Sequence, residues 1–242
     1  MIAEDLQKKL AQKYQTTELN IRREYLQQLF LRYFYLKSTT DNVFFKGGTA
    51  LKIIYGSPRF SEDLDFSSTQ KEIKFMEAAI LETLEDIEKE GINLDLKEAK
   101  TTSGGYLSRI SFKFYKDSKD SIDVLLNISI RMRRVKGEVV TIVSDFMPAY
   151  TVMALDRDQL VGEKIRALLS RRKARDFYDL YFILRANLLP PKEKAVLSRV
   201  LEILKRADLN FEKELKQFLP KSHWPVIKNF KQALSREIER VI

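Results

Sequence analysis

The chain is 242 residues long, 44% hydrophobic and 32% charged, with 8 Gly, 6 Pro and no Cys. That is enough for one large or two small domains and too apolar for a disordered chain, and it excludes disulfides, thiolate zinc sites and cysteine nucleophiles. With one histidine, His223, a Ser-His-Asp triad is nearly excluded and so is any multi-histidine metal site, which leaves carboxylates, lysine, arginine and hydroxyls for the chemistry.

The net charge of +9 is unevenly placed, with 20 Lys and Arg against 12 Asp and Glu from Asp156 onward and 23 against 22 before it. A near-neutral domain joined to one that faces a polyanion fits this asymmetry, and so does a solvated lysine-rich helical surface. No run approaches the ~18 apolar residues of a membrane span. The acidic, amphipathic start Met1-Ile2-Ala3-Glu4-Asp5-Leu6 does not resemble a signal peptide, so the expectation is a cytoplasmic protein without membrane contact.

In chain order, residues 2–14 and 18–37 carry apolar positions at helical spacing, with Thr17 as a plausible N-cap and the polar run 38–42 as a stop. Val43-Phe44-Phe45 reads as a strand, the glycines after it as a turn, and residues 50–55 as a short helix. Leu64-Asp65-Phe66 reads as a second strand and residues 71–90 as a helix ended by Gly91. Strands are expected over 92–98, 106–115 and 121–130, the last two with clean alternation. After Pro148 only helices are expected, over 158–170, 174–185, 192–206 and about 224–241. The fold class is therefore α+β, a mixed-sheet domain over 1–150 followed by an all-α basic domain over 151–242.

The chemistry-bearing residues lie in three blocks. Lys46-Gly47-Gly48-Thr49 places adjacent glycines between a strand and a helix, where the backbone can approach a phosphate closely. In Arg59-Phe60-Ser61-Glu62-Asp63-Leu64-Asp65-Phe66, Asp63 and Asp65 project from one face of a strand. Two neighbouring carboxylates repel unless a cation lies between them, and Mg²⁺ is the usual one. A metal so held could bridge the phosphates of a nucleotide.

The third block runs Gly162-Glu163-Lys164-Ile165-Arg166-Ala167-Leu168, then Arg171, then Arg175-Asp176-Phe177-Tyr178-Asp179-Leu180. Lys164 could reach into a cleft from its helix, while Arg171, Arg172, Lys173 and Arg175 crowd the following turn. Asp176 and Asp179, three apart, share a helix face. They could orient a cation, serve the chemistry directly, or form ordinary salt bridges. Arg131, Arg133, Arg134 and Lys136 could line a basic groove or end a solvated strand.

Together GGTAL (47–51), RFSEDLDF (59–66) and the third block resemble the AbiEii/AbiGii-type toxins, which include the MenT nucleotidyltransferases. The resemblance implies a polymerase-β-like nucleotidyltransferase fold and a toxin of a toxin–antitoxin or abortive-infection system. It implies a nucleoside triphosphate (NTP) substrate, Mg²⁺ or Mn²⁺, an RNA acceptor such as a tRNA 3′ end, and a cognate antitoxin. By position it makes Asp63 and Asp65 the metal-binding catalytic carboxylates, and Lys164 the triphosphate contact that, with Asp176 and Asp179, the helical domain adds to the active-site cleft. Lys46, Gly47, Gly48, Thr49, Arg59 and Ser61 form the nucleotide-binding group, Ser61 matching a hydroxyl that is modified in some relatives.

Polymerase-β-like enzymes place a third carboxylate on a later strand, for which this chain offers Asp123 or Asn127, the latter in the more family-like strand context. Arg131, Arg133, Arg134, Arg171, Arg172, Lys173 and Arg175 are the expected RNA contacts. A protein-modifying (AMPylating) transferase and a non-catalytic nucleotide- or antitoxin-binding module are the alternatives.

Overall fold

The computed structural model describes residues 2–70, 72–113, 121–131 and 135–242. Its contacts divide the chain into two units, Met1–Tyr55 with Ser61–Leu155 and Gly56–Phe60 with Asp156–Ile242. The sequence puts the division at 150/151 and does not single out the Gly56–Phe60 segment.

The first unit opens with helices α1 (Glu4–Lys13) and α2 (Glu18–Phe34). The Thr17 hydroxyl accepts from the Asn20 amide at the start of α2, which satisfies one of the free N–H groups of its first turn. There follow β1 (Val43–Lys46), α3 (Gly47–Ile53), β2 (Asp63–Ser68), α4 (Ile73–Lys89), β3 (Asn93–Thr102), β4 (Gly105–Lys113), β5 (Ser121–Ile130), β6 (Gly137–Ile142) and β7 (Tyr150–Leu155). Among the described residues these strands form one seven-stranded sheet in the order β3-β4-β5-β2-β1-β7-β6. β2 runs antiparallel to β1 and parallel to β5, and β7 runs parallel to β1. Polar and apolar residues alternate in β2 and β5, so Leu64, Phe66, Val124, Leu126 and Ile128 are buried while Asp63, Asp65 and Asn127 are half-exposed. Phe34 of α2 meets Phe66 of β2 at a ring separation of 5.5 Å, which places α2 on the apolar face and leaves the carboxylates on the other. Each such ring contributes about 1.5–3 kcal/mol by burial.

Two strands correct the sequence reading, which has none between residue 130 and the helices. β6 and β7 pair antiparallel, and β7 lies between β1 and the edge strand β6. Tyr150-Thr151-Val152-Met153-Ala154-Leu155 is buried at four of its six positions, so it lacks the alternation that marks a strand with one wet face. The strand expected to reach residue 115 is described as far as Lys113, and its last two positions lie outside the described residues.

The second unit contains α5 (Arg157–Arg171), α6 (Ala174–Arg185), α7 (Leu197–Arg206), α8 (Phe211–Leu215), α9 (Trp224–Lys228) and α10 (Phe230–Val241). Asp156 caps α5 by accepting from the Gln159 amide at 3.2 Å. The helix expected over 192–206 begins as a 3₁₀ turn, Pro191–Val196, and the one expected over 224–241 is interrupted at Asn229. Phe177, Tyr178, Phe211 and Phe230 form the aromatic centre, with Phe211 and Phe230 rings 4.8 Å apart. The Tyr178 hydroxyl meets His223 Nδ1 at 3.0 Å, and burial pushes the imidazole below its usual pKa. No described helix is long and apolar enough to cross a membrane.

Candidate active site

The centre of the first unit is built by the turn from β1 into α3. Gly47 has φ +86°, and a Cβ there would lie 2.3 Å from Asp65 Oδ2 and 2.8 Å from Asp65 Cβ. Glycine is therefore required twice, by the backbone conformation and by the carboxylate packed against it. Gly48 and Thr49 are buried in the first turn of α3, and the Thr49 hydroxyl donates to the Asp63 carbonyl. Lys46, buried at the end of β1, is the register partner of Asp65. The glycine turn and the Asp63/Asp65 strand thus form one bonded unit.

The register with β5 places Asn127 directly opposite Asp65 and Leu125 opposite Asp63. The Asn127 amide approaches Asp65 Oδ1 at 3.4 Å. Asp123 shares that face, but β2 begins opposite Leu125, so Asp123 lies beyond the end of the pair and instead meets Arg109 at 3.7 Å. Among the described residues no cluster of three acidic or histidine side chains could hold a metal. Two carboxylates and one amide on a single face nevertheless supply only hard oxygen donors, which suits Mg²⁺ or Mn²⁺ ions that keep part of their water shell.

A polar stripe on α2 bonds to both segments of this centre. Gln27 is buried, 2% exposed, and donates to the Ser61 carbonyl at 3.0 Å. Arg23, one turn earlier, meets Glu62 at 3.3 Å. Glu24 meets Lys52 of α3 at 3.6 Å and accepts from Gln28 at 3.2 Å. Burial pushes the Glu24 carboxyl up, and Lys52 opposes the shift. A run of Gln, Glu and Arg on one helix side carries no mark in sequence that separates a buried stripe from a wet one.

The second unit holds the other expected residues. Arg59, 4% exposed, donates through Nε and Nη2 to the two oxygens of Asp179 at 2.7 and 3.1 Å. Lys164 donates to Asp179 Oδ2 at 2.7 Å. Burial alone would raise the Asp179 pKa, but Arg59 and Lys164 outweigh it and hold the carboxyl at about 2. Asp176 is equally buried. It accepts from the Lys173 amide at 3.1 Å at the start of α6, and from Arg171 at 2.6 Å. The two aspartates are thus ion-paired and buried, with cations on their oxygens.

Of the expected RNA contacts, Arg131, Arg171, Arg172 and Lys173 are exposed and Arg175 is half-buried, while Arg133 and Arg134 lie outside the described residues. Arg172 ends α5 in the left-handed conformation, φ +53°.

Residues 29–240 match the family model described as "Nucleotidyl transferase AbiEii toxin, Type IV TA system". The chain belongs to this AbiEii family. It is accordingly a nucleotidyltransferase of a type IV toxin–antitoxin family, as the three sequence blocks imply. No curated protein matches it in sequence.

Among solved structures, the AbiEii chain is similar to a protein of H. pylori described as a candidate nucleotidyltransferase, with TM-score 0.65, 21% identity, and coverage of 93% of this chain and 95% of that one. JHP933 from Helicobacter pylori gives TM-score 0.58 at 20% identity, over 93% of each chain. MenT4, a nucleotidyltransferase toxin from Mycobacterium tuberculosis H37Rv, gives 0.59 at 15% identity, over 100% of this chain and 93% of that one. At these identities the likeness is one of fold, and it supports the expected nucleotidyltransferase-type α+β architecture. The AbiEii match spans every expected site residue, whereas Arg23, Glu24, Gln27 and Gln28 precede it.

Proposed function

We propose that this AbiEii-family enzyme transfers nucleotides from a nucleoside triphosphate to an RNA acceptor, the 3′ end of a tRNA, in a Mg²⁺- or Mn²⁺-dependent reaction in the cytoplasm. The observation that carries the reading is the Asp65 carboxylate packed against Gly47, with Asp63 on the same face and tied to Thr49. Asp63 and Asp65 would hold the metal, and Asn127 stands at the third-acid position as a neutral neighbour. When bound, the ion supplies positive charge where the triphosphate and its leaving group accumulate negative charge. The Gly47-Gly48 backbone lets the phosphates approach, with Lys46 immediately before that turn, and Ser61 is assigned to the same nucleotide.

In the reaction an acceptor hydroxyl oxygen bonds to the α-phosphorus and gives up its proton to solvent, as the bond to the pyrophosphate oxygen breaks and pyrophosphate leaves. No enzyme group need become covalently attached, so the rate comes from positioning and fixed charge. Lys164 is assigned to the triphosphate and Asp179 to orienting Lys164, with Arg59 fixing Asp179 from the other side. Asp176 shapes the start of α6. Arg131, Arg171, Arg172, Lys173 and Arg175 are assigned to RNA phosphates, and a cognate antitoxin is the expected regulatory partner.

The test is to incubate the protein with each α-labelled triphosphate, Mg²⁺, total tRNA and total protein, then resolve the products. Label in tRNA that disappears with chelator supports the reading, whereas label confined to protein replaces the RNA acceptor with a protein one.

A further inference from the structure

The α2 stripe has no counterpart among the residues that the family blocks single out. A buried glutamine is costly unless its amide is bonded, because a donor taken out of water without a partner loses about 1–3 kcal/mol. Gln27 uses its donor on one atom of consequence, the carbonyl of Ser61, two residues before Asp63. The Asp63 carbonyl is itself held by Thr49. The backbone entering β2 is therefore fixed from two sides, by α2 at Ser61 and by α3 at Asp63. Arg23 adds a side-chain contact to Glu62 between them. Glu24 extends the same stripe to Lys52, on the helix that begins with Gly47.

We infer that Gln27 is a positioning residue for nucleotidyl transfer: by holding the Ser61 carbonyl it fixes the backbone that aims Asp63. The inference rests on the functional reading above for what Asp63 does, and on the hydrogen bond alone for how Gln27 acts. Gln27 touches neither substrate nor metal in this role. It sets the direction in which β2 leaves the loop, and with it the direction of the first carboxylate. A displacement of about 1 Å at a reacting centre costs roughly 100-fold in rate, so one bond of this kind is worth testing.

Gln27→Met keeps the length of the side chain and removes the donor. Gln27→Glu keeps the shape, but can donate to the carbonyl only when protonated. In Gln27→Met we expect kcat to fall about 10- to 100-fold with the KM for triphosphate unchanged. Amide exchange should quicken across residues 61–65 and not elsewhere in the sheet. Gln27→Glu should regain activity relative to the unmodified protein as the pH is lowered, a rescue that a purely structural loss would not show. Unmodified kcat in Gln27→Met, or unmodified exchange across 61–65, overturns the inference. Should the unmodified protein label no acceptor, the functional reading fails and Mn²⁺ titration decides this one. Weaker Mn²⁺ binding by Gln27→Met sustains it, and equal binding overturns it.

Discussion

At Gly47 a single added carbon would fill the space against the Asp65 side chain. Alanine there must adopt φ +86° and place its Cβ 2.3 Å from an Asp65 oxygen. The near approach to Asp65 Cβ, at 2.8 Å, cannot be relieved by turning the carboxylate alone. Gly47→Ala is therefore expected to lower transfer by about 100-fold or more while costing only ~1–3 kcal/mol of stability, read by a transfer assay beside urea denaturation. The residue types of this centre are legible in sequence, because a strand, two glycines and alternating aspartates each have a local reason. Asn127 is legible only as one of two choices, since the register between β2 and β5 is a tertiary fact that the spacing of either strand leaves open.

At the scale of elements, the Arg59–Asp179–Lys164 cluster joins the Gly56–Phe60 segment to α5 and α6 within the second unit. Removing Arg59 takes away the two-pronged partner and leaves the buried Asp179 carboxylate with Lys164 alone, at a cost of about 3 kcal/mol, the low end for a broken buried pair. Arg59→Met is expected to lose stability on that scale, measured by denaturant unfolding. The pH dependence follows from the low Asp179 pKa. The unfolded carboxyl titrates near 3.9 and the folded one at about 2, so the unfolded chain binds more protons between these values. The stability from Asp179 is present above about pH 4 and is lost as the pH falls toward 2. Arg59→Met should move the acid-unfolding midpoint upward, and an unchanged midpoint would contradict the ion pair.

The sequence shows that Asp176 and Asp179 share a helix face near several cations. It does not show which cation each one takes, because Arg59 lies 120 residues from Asp179. The same limit applies to β7, whose partner β1 is about a hundred residues earlier, and to Gln27, whose bonded partner Ser61 lies 34 residues later.

For the whole molecule, the charge asymmetry becomes a property of two structural units. The helical part from Asp156 onward carries 20 basic against 12 acidic residues, and the sheet part is close to neutral. If the basic part holds RNA phosphates, binding of tRNA weakens steeply with salt, and each phosphate contact removed lowers the slope of log affinity against log salt by about 1. Arg172→Gln together with Lys173→Gln is expected to flatten that slope by up to about 2, measured by filter binding across a salt series.

On the proposed reading Asp63 and Asp65, set against the Gly47 turn, carry a metal-dependent transfer of nucleotides to RNA. Its most direct measurement is transfer of α-labelled triphosphate to total tRNA by the unmodified protein, Asp63→Asn and Asp65→Asn, with and without Mg²⁺. Labelled tRNA is expected for the unmodified protein with Mg²⁺ only, and at least about a 100-fold loss in either variant with folding intact. Undiminished labelling of tRNA by both variants would contradict it.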